Sequence, residues 1–242
     1  MRVAVITGAA GDIGAATARA FAAAGHALVL LDRNAAPVPP GAEALVLTAD
    51  LASPPAVAAA FAAAADRFGR IDALACIAGI NHRAPVADMA MSDWDRMLDV
   101  NVGHMFLCAQ NAIPLMAGAD NPAIVCMASI SGHVATPDYP AYVTTKAAVE
   151  SFAWALAGEV APQGIRVTAV APGWVEAGFT REGLALAADP AALRARATAA
   201  HLLGRMAQPE EIAAAILWLA SPAASFVTAT TLFVDGGLMR VH

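Results

Sequence analysis

"VITGAAGDIGAATARAF", residues 5–21, joins a short apolar run to an Ala-rich segment through three glycines, Gly8, Gly11 and Gly14. The run before the glycines reads as a strand, and the segment after them reads as a helix with one apolar face. Glycine lets the backbone turn sharply and lets it approach a pyrophosphate, whose charge then faces the helix N-terminus. Gly8, Gly11, Asp12, Ile13 and Gly14 are therefore candidate dinucleotide contacts. A glycine turn alone is a weak signal, so the rest of the chain decides its meaning.

Outward from this unit, near-continuous apolar runs recur at 2–7, 27–32, 43–48, 72–77, 123–129, 165–171 and 230–235. Such runs, apolar at every position instead of at alternate ones, are expected of strands covered on both faces. Between them lie Ala-rich stretches predicted as helices at 12–24, 54–68, 92–117, 140–160 and 209–220. The alternation predicts an α/β doubly wound parallel sheet of about seven strands, one Rossmann domain spanning 1–242, with ligands bound beyond the carboxyl ends of the strands. No strand follows at 174–205, which is expected to be a helical insertion or flap over the same edge.

Of the 242 residues, 59% are apolar and 14% charged, enough for one sizeable core. The formal net charge is -6, from 14 Lys and Arg against 20 Asp and Glu, with no basic cluster. That excludes nucleic acid and anionic membrane surfaces as expected partners. The three cysteines, Cys76, Cys108 and Cys126, are widely spaced and odd in number, as expected for reduced thiols in a cytoplasmic protein. Gly8, Gly11 and Asp12 interrupt the N-terminal apolar run too early for an export signal, and no stretch reads as a membrane span.

The second strand ends at Asp32, where a carboxylate accepts hydrogen bonds from an adenosine ribose and repels a 2'-phosphate, favouring NAD over NADP. Arg33 beside it is the residue that pairs with such a phosphate if NADP binds. Farther on, "YPAYVTTK" at 139–146 contains both tyrosines of the chain. Pro140 suits a first helical position and keeps Tyr139 out of the helix, as a loop residue and candidate wall of a substrate pocket. Tyr142 and Lys146 are four apart on a predicted helix and so share one face. Ionising a tyrosine at pH 7 costs roughly 4 kcal/mol, and one ammonium about 4 Å away returns about as much at an effective dielectric near 20. Tyr142 is thus the candidate general acid/base, with Lys146 lowering its pKa. Ser129, at the end of the fifth strand, is the candidate donor to a substrate oxygen, with Ser131 the competing choice.

With "AD" at 49–50, "AG" at 78–79, "VNV" at 100–102, "APG" at 171–173 and "LGRMAQPEEIAAAILWLAS" at 203–221 added to these, the chain resembles the short-chain dehydrogenase/reductases of about 250 residues. The resemblance implies that Asp50 and Leu51 bracket the adenine and that Ala78 and Gly79 line the adenosine ribose side. Pro172, Gly173, Trp174 and Val175 would hold the nicotinamide. Lys146 would also donate to the nicotinamide ribose, and Asn101 would position a water for a proton relay. Three positions depart from the family pattern: Asp12 replaces a glycine, Ile77 an asparagine, and Ala177 a threonine. Asp12 is expected to cap its helix with the side chain turned away from the pyrophosphate.

His133 and Trp174 are carried as substrate contacts, although His133, like His82, Arg83, Arg181 and His201, falls in a loop where a surface role is the plainer reading. No cluster has metal-ligand spacing, so no metal is implied. The expected activity is NAD-dependent interconversion of a small-molecule secondary alcohol and a ketone. An NADP-dependent 3-oxoacyl thioester reductase and a non-catalytic NAD-binding regulator are the alternatives. Apolar positions at Met97–Phe106 and Phe152–Leu156 beyond the needs of one sheet face predict a homo-oligomer, a tetramer.

Overall fold

The alternating burial of each apolar run explains the sheet. In β1 (Arg2–Thr7) Val3 and Val5 point into one core while Ala4 and Ile6 point into another. A computed structural model describes residues 1–240 and shows seven strands in a single parallel sheet, ordered β3-β2-β1-β4-β5-β6-β7. The remaining strands are β2 (His26–Asp32), β3 (Ala44–Thr48), β4 (Ala73–Cys76), β5 (Ala123–Met127), β6 (Arg166–Pro172) and β7 (Thr230–Val234). The strand order reverses between β1 and β4, so the crevice of a doubly wound sheet opens above their carboxyl ends.

One face is covered by α1 (Asp12–Ala23) and α8 (Pro209–Leu219), whose Phe21, Ile212 and Ile216 pack on Ile6, Leu28 and Leu30. The other face is covered by α2 (Pro54–Phe68), α4 (His104–Met116) and α5 (Pro140–Val160), through Phe61, Met105 and Val149 among others. Pro140 is the first residue of α5 and Tyr139 its N-cap, as the sequence predicts. The segment 174–205 is helical, with α6 (Gly178–Leu186) and α7 (Pro190–Ala199) inserted between β6 and α8.

The helix expected at 92–117 is not uniform. It divides into α3 (Met91–Leu98), a π-helical turn over Asp99–Gly103, and α4. The widened turn rotates Asn101 inward until it is fully buried; such turns concentrate at functional sites.

Two glycines at the β1–α1 turn are fixed by packing. A Cβ on Gly14 would lie 2.0 Å from the Gly8 carbonyl oxygen, and one on Gly8, whose φ is +68°, would lie 2.8 Å from the backbone of Ala78. Gly11 is different, because its added Cβ would meet nothing closer than 3.4 Å. Alanine usually gains about 0.5–1 kcal/mol over glycine inside a helix, but at Gly14 the clash reverses the sign. Gly14→Ala is expected to cost about 1–3 kcal/mol, or roughly 3–10 °C in melting temperature. Gly11→Ala is expected to leave the thermal midpoint nearly unchanged.

Candidate active site

A cleft of about 1060 Å³ runs along the carboxyl edge of the sheet. At one end it is lined by Asp32, Arg33, Asp50 and Leu51. The glycine turn, with Gly8, Gly11, Asp12, Ile13 and Gly14, forms its floor, and Ala78 and Gly79 follow. Ser129, Tyr142 and Lys146 line the next stretch, and Tyr139 with Pro172, Gly173, Trp174 and Val175 completes it. Nineteen residues predicted from widely separated parts of the sequence thus reach one space.

The glycine turn fits a dinucleotide. Gly11 is the N-cap of α1 with no side-chain cap, and among the described residues no protein acceptor takes the amides of Asp12, Ile13 and Gly14. Those free N–H groups and the positive end of the helix dipole meet open space. Asp32 accepts from the amides of Ala10 (3.1 Å) and Asn34 (2.9 Å), which fixes its carboxylate at the cleft edge. Asp50 accepts from Ala52 (3.0 Å). Asp12 does not cap α1, contrary to expectation, because it is the first helical residue and not the one before it. Its Oδ2 instead accepts from the Gly178 amide (2.8 Å) and from Arg181 (2.6 Å), so the carboxylate is held by α6.

Ile77 has no amide side chain to tie β4 to its neighbours, and the tie is made elsewhere. The Thr7 hydroxyl, fully buried, accepts from the amides of Ile77 (2.9 Å) and Ala78 (3.1 Å) and lies 3.4 Å from Nε2 of His104. Nδ1 of His104 contacts the Val100 carbonyl. An Nδ1–H donating to Val100 leaves Nε2 to accept from Thr7, which requires neutral imidazole. Burial pushes the His104 pKa down to about 4, consistent with that tautomer. Nothing in the periodicity singled out His104, since its role exists only through the π turn.

On the catalytic side, Ser129 ends the strand run and caps the short 3-10 turn Ile130–His133, its Oγ accepting from Ser131 N. The Ser129 hydroxyl faces the Tyr142 phenol and favours its ionised form. Burial pushes the Tyr142 phenol well up, the neighbouring Tyr139 adds to this, and Ser129 partly offsets it. Burial also pulls Lys146 down, to about 8. The expected balance, with one ammonium at 4 Å offsetting the ionisation of tyrosine, is therefore not the balance found without ligand. The Lys146 ammonium is tethered to the Met127 carbonyl (2.8 Å) and lies 5.5 Å from the Tyr142 ring centroid. Desolvation wins over that more distant charge.

Asn101 lies behind the cleft wall. Its Oδ1 accepts from Ile80 N (2.8 Å), and its Nδ2 donates to the Ile80 carbonyl (3.0 Å) and the Thr145 hydroxyl (3.1 Å). A Cβ on Gly79 would meet Asn101 Oδ1 at 3.2 Å and Lys146 Nζ at 3.7 Å, so these groups crowd one point. Tyr139 stacks on Tyr142 with centroids 4.7 Å apart, and Arg83 lies 4.2 Å over its ring.

Two histidines differ from the sequence reading. His133 does not reach the cleft; it pairs with the buried Glu150 (2.7 Å) and packs edge-on against Phe233. His201 is buried, not a surface residue. Its Nε2 accepts from Trp174 N (3.2 Å) and its Nδ1 meets the Ala197 carbonyl (2.8 Å), which pins the loop after Gly173 to α7. A Cβ on Gly173 would lie 2.7 Å from His201 Nε2, so the glycine is required there.

The arrangement defines the class of doubly wound, dinucleotide-binding oxidoreductase domains. A family model described as "Enoyl-(Acyl carrier protein) reductase" matches residues 8–239. The chain is 40% identical to a cis-4-hydroxycyclohexanecarboxylate dehydrogenase of Sinomonas cyclohexanicum, over 99% of this chain and 97% of that protein. It is 37% identical to a D-threitol dehydrogenase of Mycolicibacterium smegmatis, over 98% and 92%. The ligand-free structure of Thermoplasma acidophilum aldohexose dehydrogenase superposes with a TM-score of 0.93 at 31% identity, covering 100% of this chain and 95% of that one. The chain belongs to the short-chain dehydrogenase/reductase family.

Arg181→Ala is expected to leave the Asp12 charge uncompensated beside the first-turn amides of α1. Dinucleotide affinity should fall about fivefold, near 1 kcal/mol, and adding Asp12→Asn should restore it; fluorescence titration of the two variants checks both. For His104 the folded pKa lies below the unfolded 6.5, so its contribution to stability is complete above pH 6.5 and is lost as pH falls toward 4. That contribution is roughly 3 kcal/mol. His104→Asn is expected to flatten this part of the stability-against-pH curve, measured by urea unfolding.

Proposed function

We propose that the protein interconverts a secondary alcohol and a ketone by hydride transfer with NAD, using Tyr142 as general acid/base. The observation that carries this reading is the convergence of the Ser129 hydroxyl, the Tyr142 phenol and the Lys146 ammonium in one buried corner beside Gly79. The dehydrogenases of a hydroxy acid and of a polyol among the relatives support it.

The bound dinucleotide supplies the hydride acceptor. Its pyrophosphate would lie on the free amides of α1, its ribose on Asp32, and its nicotinamide against the Pro172–Val175 loop and Lys146. Ser129 donates to the carbinol oxygen and stabilises the charge that develops there. Tyr142, as phenolate, takes the proton of the carbinol O–H, and Asn101 holds the Lys146 side of the corner for onward transfer of that proton. Because burial holds the phenol up, the base form grows with alkalinity. Oxidation should therefore speed up, and ketone reduction slow down, as pH rises.

The choice of NAD over NADP rests on Asp32, anchored and half-buried, against the exposed Arg33. A cytoplasmic setting fits the three buried free cysteines, of which Cys76 is pushed well up by its thiol neighbours and by burial. A homotetramer fits the exposed Phe106 on α4 and Trp154 on α5, and Trp218 and Phe226 elsewhere; light scattering at micromolar concentration tests it. The 3-oxoacyl thioester reductase reading is kept because relatives 33% identical to this chain are named 3-oxoacyl-[acyl-carrier-protein] reductases.

Tyr142→Phe is expected to lower kcat by about 10²- to 10⁴-fold while leaving the dinucleotide dissociation constant unchanged. Full turnover by this variant would end the proposal. Tight NAD binding without turnover of any alcohol or ketone by the unaltered protein would favour the non-catalytic regulator.

A further inference from the structure

The chain carries a net charge of -6, yet three arginines face the substrate end of the cleft. Arg83 comes from the loop after β4, Arg96 from α3 and Arg196 from α7. Among the described residues no carboxylate lies within 4 Å of any of them. By contrast Arg19, Arg67, Arg70, Arg181, Arg194 and Arg205 are each ion-paired. Surface arginines in an acidic protein normally find acidic neighbours; here His82, next to Arg83, takes Asp93 instead. Of the acidic residues at this end, Asp189 is occupied by capping α7 (Ala192 N, 2.9 Å) and Glu182 is exposed on α6.

Arg83 is also held in place. Its guanidinium lies 4.2 Å over the Tyr139 ring, and Tyr142 is stacked against the same ring at 4.7 Å. One face of Tyr139 is taken by Tyr142, so Arg83 covers the other. Tyr139 is thereby sandwiched, and burial pushes its phenol up to about 12 with Arg83 and Asn81 partly offsetting. With no carboxylate partner of its own, the guanidinium can turn the donors of its planar fork that do not face Tyr139 toward a carboxylate, the geometry that arginine serves best. Arg83 thus forms a cationic wall backed by an aromatic ring, two stacking steps from the Tyr142 ring.

Resting on the reading of Tyr142 as the acid/base of a secondary-alcohol dehydrogenase, we infer that the substrate is a hydroxy acid whose carboxylate is bound by Arg83, with Arg96 and Arg196 adding to the field. The two stacking steps from Arg83 through Tyr139 to Tyr142, 4.2 Å and 4.7 Å, set the span. A carboxylate on the carbon next to the carbinol, as in a 2-hydroxy acid, would lie at Ser129 and fall short of Arg83. One placed across a ring or a short chain reaches it, with its apolar body against Tyr139, Trp174 and Phe179, which line the same space. Electrostatic attraction at such a mouth also raises the encounter rate of anions.

The test is steady-state oxidation by the full chain of 5-hydroxyhexanoate, its methyl ester, 2-hydroxyhexanoate and 2-hexanol, with NAD and with NADP. The expected result is a kcat/KM for 5-hydroxyhexanoate at least tenfold above the other three, falling with ionic strength. Arg83→Ala and Arg83→Gln are expected to raise KM for the acid at least tenfold with little change in its kcat and none in the KM for the dinucleotide, so that the preference for acid over ester disappears. Equal or better turnover of the ester or of 2-hexanol overturns the inference. So does an Arg83 variant that lowers acid and ester alike, which would make Arg83 a mere prop for Tyr139. Absence of turnover for all four compounds, neutral ones included, with either dinucleotide would count against the dehydrogenase reading itself and thereby remove the ground for this one.

Discussion

The close approach of the β1 turn to the exit of β4 is the contact on which the rest of the site depends. Gly8 has no Cβ, which lets its backbone lie against Ala78, and the Thr7 hydroxyl gathers the amides of Ile77 and Ala78. From there the dependence runs outward through single hydrogen bonds. Fixing Ala78 fixes Gly79 and Ile80, and Ile80 holds both ends of the Asn101 amide. Asn101 in turn donates to Thr145, between Tyr142 and Lys146 on α5. The glycine turn and α5 are therefore parts of one buried polar network, and each member is satisfied by the next.

Burial is what gives this network its chemistry and also what it costs. Tyr142 and Lys146 are both sealed in, and desolvation moves their pKa values in opposite directions, toward neutral phenol and neutral amine. Lys146 has a folded pKa of about 8 against an ordinary 10.5, so at neutral pH its charge opposes folding by roughly 3 kcal/mol. The opposition fades only as pH rises from 8 toward 10.5. A fold of this size tolerates such a deficit when it serves activity.

Much of the fold was legible because its signals are local. Apolar runs mark strands to within a residue or two, Pro140 marks the start of α5, and glycine spacing marks the turn between β1 and α1. The unread part was long-range. Asn101 is singled out by the family pattern, but the π turn that buries it is not, because such a turn adds one residue per turn without altering composition. His104, His133 and His201 look alike in sequence, yet one is a buried acceptor for Thr7, one serves Glu150 and one pins the Trp174 loop. Only the fold assigns their partners, and the same holds for Arg83, whose position over Tyr139 follows from a loop conformation with no period.

The departures from the family pattern at positions 12 and 177 make sense together. Ala177 stands at the N-cap of α6 and has no side-chain oxygen to offer, so the first amides of that helix lack the partner a threonine supplies. Asp12 takes a different amide of that turn, Gly178 N, from across the cleft, while Arg181 from the same helix neutralises it. An acidic residue beside a pyrophosphate site would by itself oppose the anion. Tied to α6, it becomes the point where the 174–205 segment is fastened to the cofactor turn. One carboxylate thus joins α6 to the first turn of α1, and separating the two elements would leave the Asp12 charge unpaired beside uncapped amides.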